Sequence, residues 1–297
     1  MSDSTNTSKS FNDKWTKNAD LAFEQTSAEG SNIFNWILTR NGFSNGDQFR
    51  AYLAGKSRIL DAGCGNGRVT ALIRKYSDDI ETEIVGIDLV AAEIAKKNLQ
   101  NFGNVHFYKK DLLEDLSELG KFDFIYCQEV LHHTSDPERA FANLVNLLAD
   151  DGEIAIYVYK KKAAVREFVD DYVRDSISDL PYEEAYKACE QITALGKCLS
   201  DLQLTITVPD VDVLEIKGGE YDLQRFIYHH FMKCFWDEQL SQNSNVVVNY
   251  DWYHPQICSR HTLEEIRVWF AKNNMVVVQL CVDHYGITMR ARRDEIS

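Results

Sequence analysis

Between Ser57 and Lys160, short apolar runs alternate with stretches whose apolar residues recur every three or four positions. The short runs are 57–60 (SRIL), 82–88 (TEIVGID), 105–111 (VHFYKKD), 122–128 (FDFIYCQ) and 153–160 (EIAIYVYK). Runs of this length, apolar toward both faces, predict buried strands of a parallel sheet. The intervening segments 67–76, 90–102 and 136–150 have helical periodicity, and the last opens with Asp136 as N-cap and Pro137 in its first turn. Strands and amphipathic helices in strict alternation specify an α/β, doubly wound sheet. Segment 261–273 adds a helix with a Thr262–Glu265 capping box. MVVVQLCV and YGITMRAR then add two strands joined by a tight turn at Asp283–His284. The expectation is a mostly parallel seven-stranded sheet whose last strand is antiparallel and lies at the edge.

The alternation stops for about 100 residues after Lys160. Segment 161–240 is helical in pattern and rich in aromatic residues (AAVREFVDDYVRD, YEEAYKACEQITALGKCL, LQRFIYHHFMKCFW). At the other end, 11–43 also has helical periodicity, with a stop at Asn41–Gly42. Four parts are therefore expected: a disordered tail at 1–10, N-terminal helices at 11–52, an α/β domain built from 53–160 and 259–297, and a helical insertion at 161–258. FIYHHFMKCFW (226–236) is more apolar than a covering element requires, which makes it a candidate homodimer surface.

A chain of 297 residues with 44% hydrophobic content can build one large domain carrying an insertion. The net charge is −14, from 32 basic and 46 acidic residues, with no Lys/Arg run. Nucleic acid and anionic membrane are excluded as main partners, because neutralising phosphates needs clustered cations. No run of about 18 apolar residues is present to span a membrane, and MSDSTNTSKS lacks a signal-peptide core. The seven cysteines (Cys64, Cys127, Cys189, Cys198, Cys234, Cys258, Cys281) contain no CxxC pair, so a reduced cytoplasmic protein without a disulfide framework is expected. His229, His230, His254 and His261 show no HxxxH or HxH spacing, and no metal is expected.

The chemistry concentrates in RILDAGCGNGRVT (58–70). A glycine loop between strand and helix puts backbone N–H groups and a helix N-terminus at the carboxyl edge of a sheet. A dinucleotide GxGxxG would need glycine at position 68, where Arg68 stands; the actual pattern is Asp61-x-Gly63-x-Gly65-x-Gly67. An acid ending the strand repels pyrophosphate and favours an ammonium or sulfonium. No GKS or GKT is present, which excludes a P-loop. Asp88 lies 21 residues beyond Gly67, near the spacing at which an acid meets a ribose diol, and Asp111 ends the next strand.

These residues resemble the class I S-adenosylmethionine-dependent methyltransferases. LDAGCGNGR matches the family's first motif, VGIDLV its ribose acid, KKDLLEDL its adenine-side acid, FDFIYCQEVLHHTSDP its fourth-strand motif, and LADDGEIAIYV the entry to its fifth strand. FNDKW (11–15) is similar to an aromatic element that closes over the cofactor in one branch. The resemblance implies a Rossmann-like methyltransferase fold with a helical lid over the substrate, and N-terminal helices covering the cofactor. It implies S-adenosyl-L-methionine as cofactor and S-adenosyl-L-homocysteine as product. The cofactor would be held by Trp15, Asp61, Gly63, Cys64, Gly65, Asn66, Asp88, Leu89, Asp111, Leu112, Gln128, Glu129 and His133.

Methyl transfer from a sulfonium is an in-line displacement, so the protein positions the acceptor and, where needed, removes its proton. Candidate bases are His133, His132 and His254, with helix packing as the competing reading for each. Candidate acceptor contacts are Tyr159, Arg166, Tyr228, Tyr253, His254 and Arg260, competing with roles as buried anchors; Lys161 and Lys162 with Arg166 suit an anionic acceptor. CQEV stands where amide-methylating enzymes carry an NPPY-like motif, and Glu129 is not one of a pair of acids, so a small polar metabolite is expected. O-methylation of a hydroxyl or carboxylate is the leading reading. The alternatives are a non-catalytic S-adenosylmethionine-binding regulatory or assembly protein and, disfavoured by Asp61 and Arg68, a nicotinamide-dependent dehydrogenase.

Overall fold

The computed structural model describes residues 3–294 and divides into two compact units. The α/β unit runs from Trp15 to Lys160 and resumes at Ser259; the helical unit combines the chain up to Lys14 with Lys161–Cys258. Along the chain the helices are α1 (Asp3–Lys17), α2 (Phe23–Ser27), α3 (Asn32–Arg40), α4 (Gly46–Leu53), α5 (Arg68–Tyr76), α6 (Ala92–Asn98), α7 (Pro137–Val145), α8 (Ala164–Ile177), α9 (Tyr182–Asp201), α10 (Leu223–His230), α11 (Gln242–Tyr253) and α12 (Leu263–Lys272). The strands are β1 (Arg58–Ala62), β2 (Glu83–Asp88), β3 (Val105–Lys109), β4 (Phe122–Gln128), β5 (Leu148–Tyr159), β6 (Thr205–Val208), β7 (Gly219–Asp222), β8 (Met275–Val282) and β9 (Gly286–Arg293). No helix among the described residues is long and apolar enough to cross a membrane.

In the α/β unit the seven-stranded sheet has the order β3-β2-β1-β4-β5-β9-β8. The pairs from β3 to β5 are parallel, and β9 is antiparallel to both its neighbours. This is the Rossmann-like methyltransferase fold. Successive strand residues face opposite layers. Leu60, Ile125 and Ile156 pack with Phe141, Leu144, Trp269 and Phe270 on one side. Ile59, Phe124 and Ala155 pack with Phe34, Leu38, Phe49, Leu72 and Tyr76 on the other. Burial on both faces explains why the strands read as near-continuous apolar runs.

The antiparallel strand is not at the edge, as the sequence suggested. β9 inserts between β5 and β8, and β8 is the outer strand. Its apolar run is accordingly only half covered: Met275 is buried, whereas Val276, Val277 and Val278 are exposed. Asp283 closes the turn by accepting from the N–H groups of Tyr285 and Gly286 (2.7 and 3.0 Å).

In the helical unit, residues 3–10 are not a tail but the first turns of α1; residues 1–2 of that segment lie outside the described residues, as do the last three of 259–297. The reason is polar and therefore invisible to hydropathy. Asn6 Nδ2 donates to Ser178 O (2.8 Å), Thr7 Oγ1 accepts from Ile257 N–H (2.9 Å), and Ser10 Oγ meets His254 Nδ1 (2.8 Å). The insertion also contains the antiparallel pair β6–β7, which its helical pattern did not announce. Within FIYHHFMKCFW, Phe226, Tyr228 and Cys234 are buried, while Ile227, Phe231, Met232, Phe235 and Trp236 are half-buried.

His254 is 2% exposed and bonded at both ring nitrogens. Nε2–H donates to Leu180 O (2.9 Å), which leaves Nδ1 as acceptor for the hydroxyls of Tyr250 and Ser10 (2.8 Å each). Burial pushes its pKa below the usual 6.5. As pH falls through about 6.5 the unfolded chain takes up this proton first, so the stability contribution present above that pH is lost below it. Urea unfolding should show a lower midpoint at pH 5.5 than at pH 7.5, and His254→Asn should lose part of that difference.

Candidate functional site

The loop after β1 carries Gly63, Gly65 and Gly67 at φ +82°, +54° and +86°, in the left-handed region. Two of these glycines are required by the protein's own side chains. A Cβ on Gly63 would lie 2.2 Å from Val130 Cγ2, and one on Gly65 would lie 2.7 Å from Trp15 Cζ2. Trp15 therefore sits on the loop, and the segment after it is tied down. Asn66 Nδ2 donates to Ala19 O and Leu21 O (3.1 and 3.0 Å), and Asn98 Nδ2 donates to Ala19 O and Asn66 O (2.8 and 2.9 Å).

Asp88 ends β2 and organises the loop. Its Oδ2 accepts from Gly65 N–H (3.0 Å), and its Oδ1 accepts from the N–H groups of Val90 and Ala91 (2.9 and 2.8 Å). A carboxylate has about four lone-pair positions, so roughly one is left for a ligand hydroxyl. Asp61 is 3% exposed and accepts from Thr70 Oγ1 (2.6 Å). Burial lifts its pKa to about 6. Cys64 is buried and its thiol is pushed well above the ordinary value by burial and then by Asp88, which makes it inert packing and no nucleophile.

Asp111, after β3, uses Oδ1 to accept from Leu113 N–H (2.9 Å). Leu112 is buried and Leu89 is partly exposed. β4 lies beside β1, so the chain leaving β4 emerges next to the glycine loop. There Gln128 has a buried Nε2 with no hydrogen-bond partner. Glu129 adopts φ +60° and lies 3.5 Å from Arg68 Nη2. A left-handed conformation at a non-glycine residue is uncommon and gathers at functional sites.

Beyond Glu129 the two histidines separate in role. His132 is fully buried and stacks on Tyr159 with ring centroids 3.7 Å apart. His133 is half-buried, with its ring 4.4 Å from that of His132 and 5.7 Å from that of Tyr159. The return segment is stitched to the same edge: Ser259 N–H donates to His132 O (2.8 Å) and His261 N–H to Tyr159 O (2.8 Å). Arg260 stands between those two anchors.

The remaining expected residues lie in the helical unit. His254, with both nitrogens engaged inside that unit, is a structural residue and neither base nor acceptor contact. Tyr253 is likewise enclosed, its hydroxyl bonded to Asp170 Oδ1 and Lys233 O (2.8 Å each). Arg166 and Tyr228 are buried against each other, with the guanidinium 4.6 Å from the ring centroid. Lys233, Asp170 and Trp252 join this group and were missed, because no spacing in the sequence connects α8, the segment after α10, and α11. Among the described residues no group of three His, Cys, Asp or Glu side chains converges on a metal position.

A family model described as a methyltransferase domain matches residues 53–213, more than half of the chain. The chain belongs to the class I S-adenosylmethionine-dependent methyltransferases. This methyltransferase is similar to the juvenile hormone acid O-methyltransferase of Bombyx mori, at 34% identity over 32% of this chain and 36% of that one. It is also similar to the ubiquinone biosynthesis O-methyltransferase of Coxiella burnetii, at 29% identity over 63% of this chain and 79% of that one. The matched segment spans about a third of the length of two of the curated relatives. The fold is shared with PKMT2 from Rickettsia typhi, with a TM-score of 0.54 at 17% identity over 81% of this chain and 49% of that one; that protein has also been solved in complex with AdoHcy.

The residues present fit the methyltransferase's cofactor, S-adenosylmethionine. The acids Asp61, Asp88 and Glu129 around the loop complement a cationic ligand, and the orphaned Gln128 Nε2 is a donor suited to a carboxylate. Trp15 and Val130 occupy the space that the glycines open, so the glycines shape the loop and only indirectly admit the ligand. Asp88→Asn should weaken S-adenosylhomocysteine binding about tenfold or more in calorimetry, since a charge-assisted bond is worth roughly 1.5–3 kcal/mol. Affinity for S-adenosylmethionine should fall as pH drops through about 6, where Asp61 takes up its proton, and Asp61→Asn should flatten that dependence.

Proposed function

We propose that the chain transfers a methyl group from S-adenosylmethionine to an oxygen of a small polar metabolite, a hydroxyl or a carboxylate. The observation that carries this reading is the half-buried His133 at the carboxyl ends of β4 and β5, beside the cofactor loop. The buried His132–Tyr159 stack fixes its position. The donor supplies an activated methyl on a sulfonium, so the new C–O bond forms as the C–S bond breaks. The chain's own task is to hold the acceptor oxygen in line, about 3 Å from the methyl carbon.

For a hydroxyl acceptor, His133 takes the proton released as the bond forms; a carboxylate acceptor has none to give. Fully buried His132 does not face an acceptor and acts as the wall that orients His133. Tyr159 and Arg260 lie at the same sheet edge and are the acceptor contacts of this unit. Oxygen as the accepting atom is supported by the Bombyx and Coxiella relatives, both named O-methyltransferases.

Incubation with methyl-labelled S-adenosylmethionine and a small-molecule cell extract, followed by mass spectrometry, should yield a labelled metabolite carrying the methyl on oxygen. Asp88→Ala should give none. His133→Ala should lower kcat by about 10²–10⁴ for a hydroxyl acceptor while leaving S-adenosylhomocysteine affinity within a few-fold. A labelled nitrogen or sulfur product would overturn the oxygen assignment.

A further inference from the structure

Helix α8, in the helical unit, has its amphipathicity reversed. Arg166, Asp170 and Arg174 recur every four residues along its buried face, at 2%, 1% and 6% exposure. Their partners lie within the same unit. Arg166 Nε donates to Asp170 Oδ2 (3.0 Å), Trp252 Nε1 donates to the same oxygen (2.9 Å), and Arg174 Nη2 donates to Trp252 O (3.0 Å). The opposite face carries Phe168 and Tyr172, one turn apart, at 79% and 74% exposure. A surface helix ordinarily turns its apolar stripe inward and its charges to water. Single exposed apolar residues need no explanation, but two large rings side by side on a helix that buries its charges do.

The two rings are the centre of a longer row. Lys161, Val165, Phe168, Tyr172, Asp175 and Asp179 follow one another at alternating steps of four and three residues, the spacing of a seam along which one helix meets another. Lys161, Asp175 and Asp179 are exposed and Val165 is half-buried. The row is thus basic at its start, aromatic in the middle and acidic at its end. Its charges oppose the dipole of α8 itself, since Lys161 precedes the positive N-terminus and Asp175 stands in the last turn, at the negative end. A helix packed alongside in the opposite direction reverses both relations.

We propose that this row is the contact between two copies of the chain, with the two α8 helices antiparallel about a two-fold axis between Phe168 and Tyr172. Under that symmetry each Phe168 meets Tyr172 of the second copy, and each Lys161 meets Asp175 and Asp179 of the second copy. One row supplies both halves of the contact, as an isologous interface requires. Parallel pairing would set like charge on like charge. The central rings supply most of the affinity, because buried aromatic side chains dominate small interfaces. The exposed ion pairs are individually weak and set the direction of packing. An anionic membrane does not fit the row, which carries two acids to one cation. The contact lies on α8 and not on segment 226–236.

Sedimentation equilibrium of the full chain, from about 1 to 200 µM, tests this. The average mass should rise with concentration toward twice that of one chain. Phe168→Ser should raise the dimer dissociation constant at least tenfold. Lys161→Glu and Asp175→Lys should each weaken the dimer when alone, because both ends of the contact then carry like charges. An equimolar mixture of those two variants should regain association, because both ends become complementary again. S-adenosylhomocysteine affinity within twofold of wild type shows that each variant is folded. A wild-type chain monomeric throughout the range, a dimer indifferent to Phe168→Ser, or a mixture no stronger than its separate components overturns the proposal.

Discussion

The carboxylate of Asp88 holds the cofactor-binding half of this protein together. One oxygen accepts from Gly65 in the loop after β1, and the other accepts from Val90 and Ala91 at the start of α6. A single charged group thus ties the end of β2 to the loop after β1 and to the start of α6. Hydrogen bonds to a charged acceptor are stronger than neutral ones, and three on one residue resist rearrangement. Trp15 beside Gly65 and Val130 beside Gly63 flank the loop that this carboxylate holds.

Around this point the α/β unit spends its apolar residues on rigidity. Both faces of β1, β4 and β5 are covered, so the strands cannot slip without exposing Leu60 or Ile59. That frame places His133 in a half-buried position at the carboxyl ends of β4 and β5. His132 contributes by being enclosed: its stack with Tyr159 turns two neighbouring strand ends into one surface. On the proposed function, the pair LHH divides into a half-buried base, His133, and a fully buried neighbour, His132, that supports it.

The helical unit organises itself around a different acid. Asp170 collects donors from α8, α11 and the segment after α10, and in doing so draws Lys233 and Arg166 onto Trp252. A buried carboxylate with four donors is a strong specifier of one packing arrangement.

The α/β layout was legible in the sequence because its signals are local. Alternating apolar runs, an N-cap at Asp136, a capping box at Thr262 and three acids each ending a strand all lie within a few residues of what they control. What escaped reading depends on partners far apart in the chain. The helix at residues 3–10 exists because Asn6, Thr7 and Ser10 find polar partners more than 170 residues away, and no hydropathy pattern records that. Position in the sheet placed β9 inside and β8 outside, although both read equally well as strands. His254 and Tyr253 looked chemical by composition and turned out to be fully engaged, whereas Lys233 looked ordinary and lies among buried cations. The sequence by itself determined the sheet, the cofactor loop and the identity of its acids, since local pattern sets those. Only the tertiary structure decided which polar side chains were consumed by packing, because that depends on neighbours brought together by folding.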